Sequence, residues 1–244
     1  MNSPVADGNA AATQRVWCAR VPATDAGMPT DLYRSWLTNA EEGRMAQFRT
    51  PALRRQHLVT RALCRAVLSR HHPVPPGDWR FEIDAYGRPG VVAPSAGRDL
   101  CFSLSNTSEW AACIVALAPA EVGIDIEHID GGAADPGIAA RYFAPGEAAS
   151  LTGLNEATAR RRFMRLWTLK EAYTKARGLG LSLALDRFVI EPDALPIHLR
   201  CDAGVDVNAG DWRFDQRLLG DDHLLAVARR GCPDVPIEVV AITP

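Results

Sequence analysis

Residues 122–127 read Val-Gly-Ile-Asp-Ile-Glu, and apolar and acidic side chains alternate along them. This alternation is typical of a strand with one buried face. It predicts that Asp125 and Glu127 project side by side, with backbone origins about 7 Å apart. Two adjacent carboxylates repel each other, and a hard divalent cation such as Mg²⁺ would relieve the repulsion. An amphipathic edge strand whose acids face solvent is the alternative, and this stretch alone leaves it open.

A second stretch, residues 166–175, reads LWTLKEAYTK. Its apolar spacing predicts a long amphipathic helix over 157–177 that ends at Gly178. Glu171 and Lys175 are one turn apart on one face of this helix, where an exposed salt bridge would account for them. The functional alternative makes Glu171 a third metal carboxylate and Lys175 a phosphate ligand. That alternative requires the helix to pack over the strand of Asp125.

The rest of the chain predicts an α+β fold with hairpins. Strands are expected at 15–19, 79–83, 101–104, 111–117, 122–129, 188–191, 197–201, 212–217, 224–228 and 237–241, and helices at 31–37, 52–70, 138–143, 146–151 and 157–177. A seam at Pro119-Ala120 divides the chain into three predicted parts. These are a disordered N-terminal extension (1–13), a first α+β half (14–118) and a second α+β half that carries the metal site (119–244).

The composition of the chain limits the kinds of molecule that it is expected to bind. The 244 residues have a net charge of −2 and a pI near 6.3, which predicts no general attraction to nucleic acid or to an anionic membrane. The sequence has no run approaching the roughly 20 apolar residues of a membrane span and no secretory signal. Six widely spaced cysteines without a C-x-x-C motif favour reduced thiols. We therefore expect a cytoplasmic protein.

Basic residues cluster in two places. Seven arginines and no acidic residue lie between Gly43 and Gly77, which is typical of a phosphate-binding surface or of a solvated basic helix. Four more, at 160, 161, 162 and 165, could dock an acidic partner. The P-loop, dinucleotide, hydrolase-elbow and metalloprotease motifs are absent from the sequence, which excludes the usual forms of those enzymes.

Four motifs taken together resemble one enzyme family. They are F-S-L-S-N-T (102–107), G-I-D-I-E (123–127), R-Y-F-x-x-x-E (141–147) and L-W-T-L-K-E-A-Y-T-K (166–175), the last followed by G-L-G-L-S. Their order and spacing resemble the 4′-phosphopantetheinyl transferase superfamily, specifically the Sfp type, from about Arg44 to about Ile190. The resemblance implies two similar α+β halves in a pseudo-twofold arrangement, each a small antiparallel sheet packed with a long helix. It also implies a monomer with coenzyme A in the cleft between the halves.

The same resemblance implies an activity and a set of site residues. The family transfers 4′-phosphopantetheine from coenzyme A to a serine of an apo acyl, peptidyl or polyketide carrier protein, with Mg²⁺, and releases 3′,5′-ADP. By position, Asp125, Glu127 and Glu171 match the Mg²⁺ ligands, Lys175 matches the pyrophosphate-binding lysine, and Asp125, Glu171 and Lys175 are the catalytic candidates. The coenzyme A contacts that it implies are Arg44, Tyr86, Gly87, Arg88, Pro89, Ser105, Asn106, Thr107, Asp125, Glu171 and Lys175.

Two positions depart from the family pattern, because Arg88 stands where lysine is usual and Asn106 stands where the best-known members have histidine. An amide donates a hydrogen bond but carries no charge. The base that accepts the serine proton is Glu171, directly or through a water on the metal, or Glu147. Two other functions stay open: a non-catalytic relative that binds coenzyme A or a carrier protein, and a Mg²⁺-dependent phosphoesterase or nuclease. The nuclease alternative lacks aromatic residues interleaved with the arginines.

Overall fold

The computed structural model describes residues 13–131, 136–201 and 204–244. The predicted N-terminal extension, apart from Thr13, lies outside these residues. Within them the chain forms six α-helices and eleven strands: β1 (Gln14–Arg20), α1 (Thr30–Ser35), α2 (Asn39–Ala46), α3 (Pro51–His71), β2 (Arg80–Ile83), β3 (Pro89–Ala93), β4 (Leu100–Asn106), β5 (Trp110–Leu117), β6 (Glu121–His128), α4 (Pro136–Tyr142), α5 (Pro145–Ala149), α6 (Glu156–Arg177), β7 (Phe188–Glu191), β8 (His198–Cys201), β9 (Arg213–Leu219), β10 (His223–Arg230) and β11 (Ile237–Ala241).

The strands form two main sheets, and the predicted α+β class is confirmed. One sheet has the order β11-β1-β5-β4 and the other β6-β10-β9, while β2-β3 and β7-β8 form separate two-stranded ladders. Helix α3 packs on the first sheet and α6 on the second. All pairs are antiparallel except β1 with β11, which run parallel. The last strand therefore belongs to the sheet of the first half, and the division of the chain at 118 and 119 stays a prediction.

The alternation of side chains along the strands builds layers. Along β1, Trp17 packs toward α3, whereas Val16 packs toward the second sheet. Ile124 and Ile126 of β6 contribute to the same core between the two sheets. Since strand side chains alternate between faces, Asp125 points the other way, toward α6. The order of layers is thus α3, first sheet, second sheet and α6.

One glycine lets α6 lie directly on β6. A Cβ atom at Gly123 would lie 1.9 Å from the carbonyl oxygen of Ala172 and 2.5 Å from the amide nitrogen of Ala176. Both are backbone atoms of α6, so only a residue without a side chain fits there. The helix is capped by Asn155, whose Oδ1 accepts from the amide of Thr158 at 2.9 Å.

Serine hydroxyls join the two sheets where β4 meets β6. The amides of Ile124 and Ile126 each donate to a hydroxyl, of Ser103 and Ser105 respectively, at 3.2 Å. These side chains supply acceptors to β6 amides on the edge away from β10. The alternate serines of the F-S-L-S motif therefore replace a strand ladder between the halves, because buried amides need partners.

Two elements were not predicted from the sequence. Strand β3 pairs with β2 across the turn at 86–89, and α2 begins at a capping box in which Thr38 and Glu41 satisfy each other's backbone amides. A Thr-x-x-Glu pattern before a helix is a known start signal, so α2 was accessible to sequence reasoning. Among the described residues no helix combines the length and the apolar character needed to cross a membrane.

Candidate active site

A cleft of about 1010 Å³ lies between the two halves. Its walls come from α3, the turn between β2 and β3, β4, α4, α6 and the segment 180–186. The predicted contacts Tyr86, Gly87, Arg88 and Pro89, together with Asn106, Glu171 and Lys175, all line it. A cleft of this size between two halves is a typical place for a ligand to bind.

At the centre of the site, Lys175 and Asp125 form an ion pair. Lys175 Nζ lies 2.6 Å from Asp125 Oδ1, and Asp125 is only 3% exposed. The hydroxyl of Ser105 donates to the same Asp125 oxygen at 3.0 Å and accepts from Lys175 at 3.1 Å. With the amide of Ile126 as a second donor, every hydrogen-bonding position of this hydroxyl is used. The bonds orient both charged groups.

The second oxygen of Asp125 has no such partner. Asp125 Oδ2 is buried and accepts no hydrogen bond from the described residues. A buried carboxylate oxygen without a donor is unfavourable unless a cation or a water reaches it. Since Oδ1 is taken by Lys175 and Ser105, Oδ2 is the atom of Asp125 that fits a metal ion.

Two further carboxyls share this region, and their charges interact. Burial, Asp125 and Glu171 together raise the pKa of Glu127 to about 7, with Lys175 opposing the rise. Burial and Asp125 raise the pKa of Glu171 in the same way. Glu127 is half-buried and Asp125 is buried, so the alternative of solvent-facing acids on an edge strand is wrong. Two acidic side chains whose pKa values are raised, beside the buried Asp125 carboxylate, are a suitable oxygen site for Mg²⁺.

The turn at 86–89 is held against the end of α6. Asp84 Oδ1 accepts from the amides of Tyr86 and Arg88 at 2.8 and 2.9 Å. Gly178 ends α6 with a φ of +64°, and a Cβ atom there would lie 2.9 Å from the Arg88 side chain. A Cβ atom at Gly180 would lie 2.8 Å from the carbonyl oxygen of Tyr86. The G-L-G segment thus lets the turn from the first half reach the cleft beside Lys175.

Asn106 is held by α3. Its Oδ1 accepts from Gln56 Nε2 at 2.5 Å, so it lines the cleft as part of a neutral amide pair. Thr60 and Arg61 of α3 also line the cleft, although the sequence had given no reason to choose them over the other polar residues of this helix. The contact of Arg61 with Glu41 is long, at 4.0 Å. Its guanidinium therefore keeps capacity for an anion.

Four predicted contacts do not line the cleft. Ser105 and Asp125 bind Lys175, which does line it, whereas Thr107 and Arg44 lie elsewhere. Thr107 turns away from the cleft lining, and its Oγ1 lies 3.2 Å from His223 Nε2 while accepting from the amides of Glu109 and Trp110. Arg44 is exposed on α2 and is not part of the lining. The cleft as described therefore places these two residues outside the group that surrounds it.

The basic cluster at the start of α6 is partly neutralised. Arg162 and Arg165 both pair with Asp193, at 2.8 and 2.5 Å, and Arg160 pairs with Glu156 at 3.0 Å. An acidic partner would have to compete with these local carboxylates. The cluster is thus a weaker docking candidate than its sequence indicated.

Glu147 is occupied by structural contacts. It pairs with Lys170 at 2.7 Å, and its oxygens also accept from the amides of Ala144 and Ile190. Both of its oxygens are therefore used in a buried setting, away from the cleft lining. Of the two candidate bases, Glu171 is the one that reaches the cleft.

Comparison of the sequence with known proteins identifies the family of this chain. Residues 121–228 match the family model of the 4′-phosphopantetheinyl transferase superfamily. The chain is also 32% identical over 195 residues to the 4′-phosphopantetheinyl transferase HetI of Nostoc sp., an alignment that covers 80% of this chain and 79% of the relative. The chain belongs to the 4′-phosphopantetheinyl transferase superfamily. The predicted resemblance and the assignment to the transferases are thereby confirmed.

Other members of the superfamily match over shorter stretches. The 4′-phosphopantetheinyl transferase Sfp of Bacillus subtilis is 33% identical over 133 residues, which cover 54% of this chain and 56% of the relative. A solved structure described as the Chronobacterium ammoniagenes ACPS-CoA complex is 21% identical and covers 45% of this chain and 95% of that chain, with a TM-score of 0.34. That similarity is too low to add to the assignment, which depends on sequence.

Proposed function

We propose that this protein transfers the 4′-phosphopantetheine group of coenzyme A to a serine of an apo carrier protein and releases 3′,5′-ADP. The observation that carries the proposal is the ion pair of Lys175 with the buried Asp125 beside a cleft that Glu171 and Lys175 line. In this reaction the serine oxygen forms a bond to the phosphorus of the phosphopantetheine group. The bond from that phosphorus to the bridging oxygen of the diphosphate breaks, and 3′,5′-ADP leaves.

The residues of the chain supply charge and alignment. Lys175 is fixed by Asp125 and Ser105 and lines the cleft, so its ammonium is positioned for a phosphate oxygen without a further ordering cost. Glu171 also lines the cleft, so its carboxylate can be reached by a serine hydroxyl that enters there. We assign it the serine proton.

Asp125, Glu127 and Glu171 would hold Mg²⁺, because they offer oxygen ligands, mutual repulsion that a cation relieves, and an unsatisfied oxygen on Asp125. When bound, the ion would neutralise charge on the diphosphate. Lys175 is one cation beside three acids, and this imbalance supports binding of a divalent cation.

The cleft also suits the anionic part of coenzyme A. Besides Lys175, the cations that line it among the described residues are Arg61, Arg88 and Arg141. Guanidinium groups bind phosphate oxygens in a planar, two-point geometry. We therefore assign the phosphates of coenzyme A to these cations. A cytoplasmic location and a monomeric state remain predictions from the sequence.

A mass measurement tests the proposed function. The protein is incubated with coenzyme A, Mg²⁺ and an apo carrier protein, and the intact carrier is weighed. A gain of one phosphopantetheine group, lost when Mg²⁺ is chelated or when Asp125→Asn replaces the wild type, is the expected result. Tight binding of coenzyme A without any gain would instead support a non-catalytic relative, and nucleic-acid cleavage would support the nuclease alternative.

A further inference from the structure

The buried pair of Glu147 and Lys170 has no part in the transfer reaction as assigned above. Lys170 is 0% exposed, and its ammonium has three partners at 2.7 Å: Glu147 Oε2 and the carbonyl oxygens of Leu185 and Phe188. A lysine ammonium has three donors. All of them are used, so this group is bound in place and is not available to a ligand.

The pair connects four segments of the second half. Lys170 lies on α6, and Glu147 lies in the first turn of α5. Glu147 Oε1 accepts from the amide of Ile190 on β7 at 2.9 Å, while Lys170 binds the carbonyl oxygens of Leu185 and Phe188, on either side of the turn that enters β7. The backbone from 185 to 190 is thus held by three charge-assisted hydrogen bonds, two from Lys170 on α6 and one to Glu147 on α5.

The held backbone begins within one wall of the cleft, because the carbonyl oxygen that Lys170 binds at Leu185 belongs to a residue that lines it. Leu183, Ala184, Leu185 and Asp186 line it, and three of these four side chains are apolar. The cationic groups that suit phosphate come from other walls, on α3, the 86–89 turn, α4 and the end of α6. This wall adds no cation to the cleft, so it suits an uncharged part of the ligand better than a phosphate.

We propose that Glu147 and Lys170 are positioning residues that hold the 183–186 wall against the uncharged pantetheine arm of coenzyme A. The inference rests on the proposed function and deepens it, because it divides the ligand between two surfaces of one cleft. Phosphates are bound by the arginines and Lys175, and the arm is bound by an apolar wall fixed from behind. Neither Glu147 nor Lys170 touches the ligand.

The product provides a direct test, because 3′,5′-ADP carries phosphates but no pantetheine arm. Binding of coenzyme A and of 3′,5′-ADP is measured by calorimetric titration in Mg²⁺ for the wild type and for Glu147→Gln. Loosening the wall should weaken coenzyme A binding by about tenfold and leave 3′,5′-ADP binding within about twofold. Loss of folded protein alone would reduce the number of sites and leave both dissociation constants unchanged.

Two further variants keep the test decisive. Leu185→Ala alters the wall without touching the ion pair and should give the same selective loss, which covers the case in which Glu147→Gln does not fold. Asp206→Asn disturbs another buried ion pair of α6, with Arg177 at 2.9 Å, and should lower thermal stability without separating the two ligands.

The outcomes separate the two proposals. If the wild type binds neither ligand, the proposed function fails. If the wild type binds both ligands but Glu147→Gln and Leu185→Ala weaken both equally, or neither, the positioning role is overturned and the proposed function stands.

Discussion

Replacing Gly123 by alanine tests how the fold builds the site. The added Cβ atom would lie 1.9 Å from the carbonyl oxygen of Ala172, and an ordinary contact is about 3.4 Å, so α6 must move off β6 by about 1.5 Å. A shift of this size would displace Lys175 relative to Asp125, with which it now forms an ion pair of 2.6 Å. Overpacking of this kind costs about 1–3 kcal/mol of stability.

We expect Gly123→Ala to reduce activity more through misplacement of the reacting groups than through the loss of folding stability. A displacement of about 1 Å can reduce a rate about 100-fold, so we expect Gly123→Ala to lower kcat for carrier modification by at least about that factor. Unfolding in denaturant and the mass assay, at a temperature where the variant is folded, measure the two effects separately. Gly43→Ala is the matched control, because a Cβ atom at Gly43 in α2 meets nothing within 4 Å. Wild-type activity in folded Gly123→Ala would refute the close-approach argument.

Three further changes address single groups. Glu127→Gln should abolish most of the transfer, and it should make the metal-free protein more stable than the wild type at about pH 8. The pKa of Glu127 is raised in the folded state from 4.5 to about 7. The wild type therefore loses stability as the pH rises from 4.5 to about 7, whereas the Glu127→Gln variant does not. A difference in Tm between the two proteins that does not change with pH would contradict this. Ser105→Ala leaves the Ile126 amide without its acceptor and should cost about 1–3 kcal/mol in chemical denaturation, whereas an unchanged unfolding midpoint would show that the two sheets do not depend on this bond. Arg61→Gln should weaken coenzyme A binding, and the loss should be greatest at low salt. Arg49 is exposed and outside the cleft lining, so Arg49→Gln should leave coenzyme A binding unchanged. Equal effects of the two variants would show that Arg61 does not bind a phosphate.

Local sequence patterns predict most helices and strands, because apolar residues recur with a different period in each of these two structures. The strand of Asp125 and the helix of Glu171 were predicted to within a residue or two of their observed ends. The parallel pairing of β11 with β1 has no such signal, since it joins positions more than 200 residues apart. Its partner is chosen by the tertiary structure, and alternation within either strand does not reveal it.

The sequence predicted which residues belong to the candidate site, but it did not predict how the neighbouring elements pack around them. The motif containing Asp125 also contains Gly123, whose missing side chain brings α6 close enough for Lys175 to reach the carboxylate. The half-burial of Glu127 depends on that contact and could not be derived from alternation alone. Arg61 enters the cleft because of the position of α3 across the first sheet, and no feature of the helix itself distinguishes it from its arginine neighbours.

Three carboxylates, two from β6 and one from α6, are assigned to one divalent cation. Anomalous diffraction from crystals of the protein grown with Mn²⁺ and coenzyme A tests this assignment most directly. We predict one strong peak in contact with Asp125 Oδ2, Glu127 and Glu171, next to the diphosphate. A peak at another group of possible ligands, such as Glu109, His128 and Asp222, with none beside Asp125, would contradict this assignment.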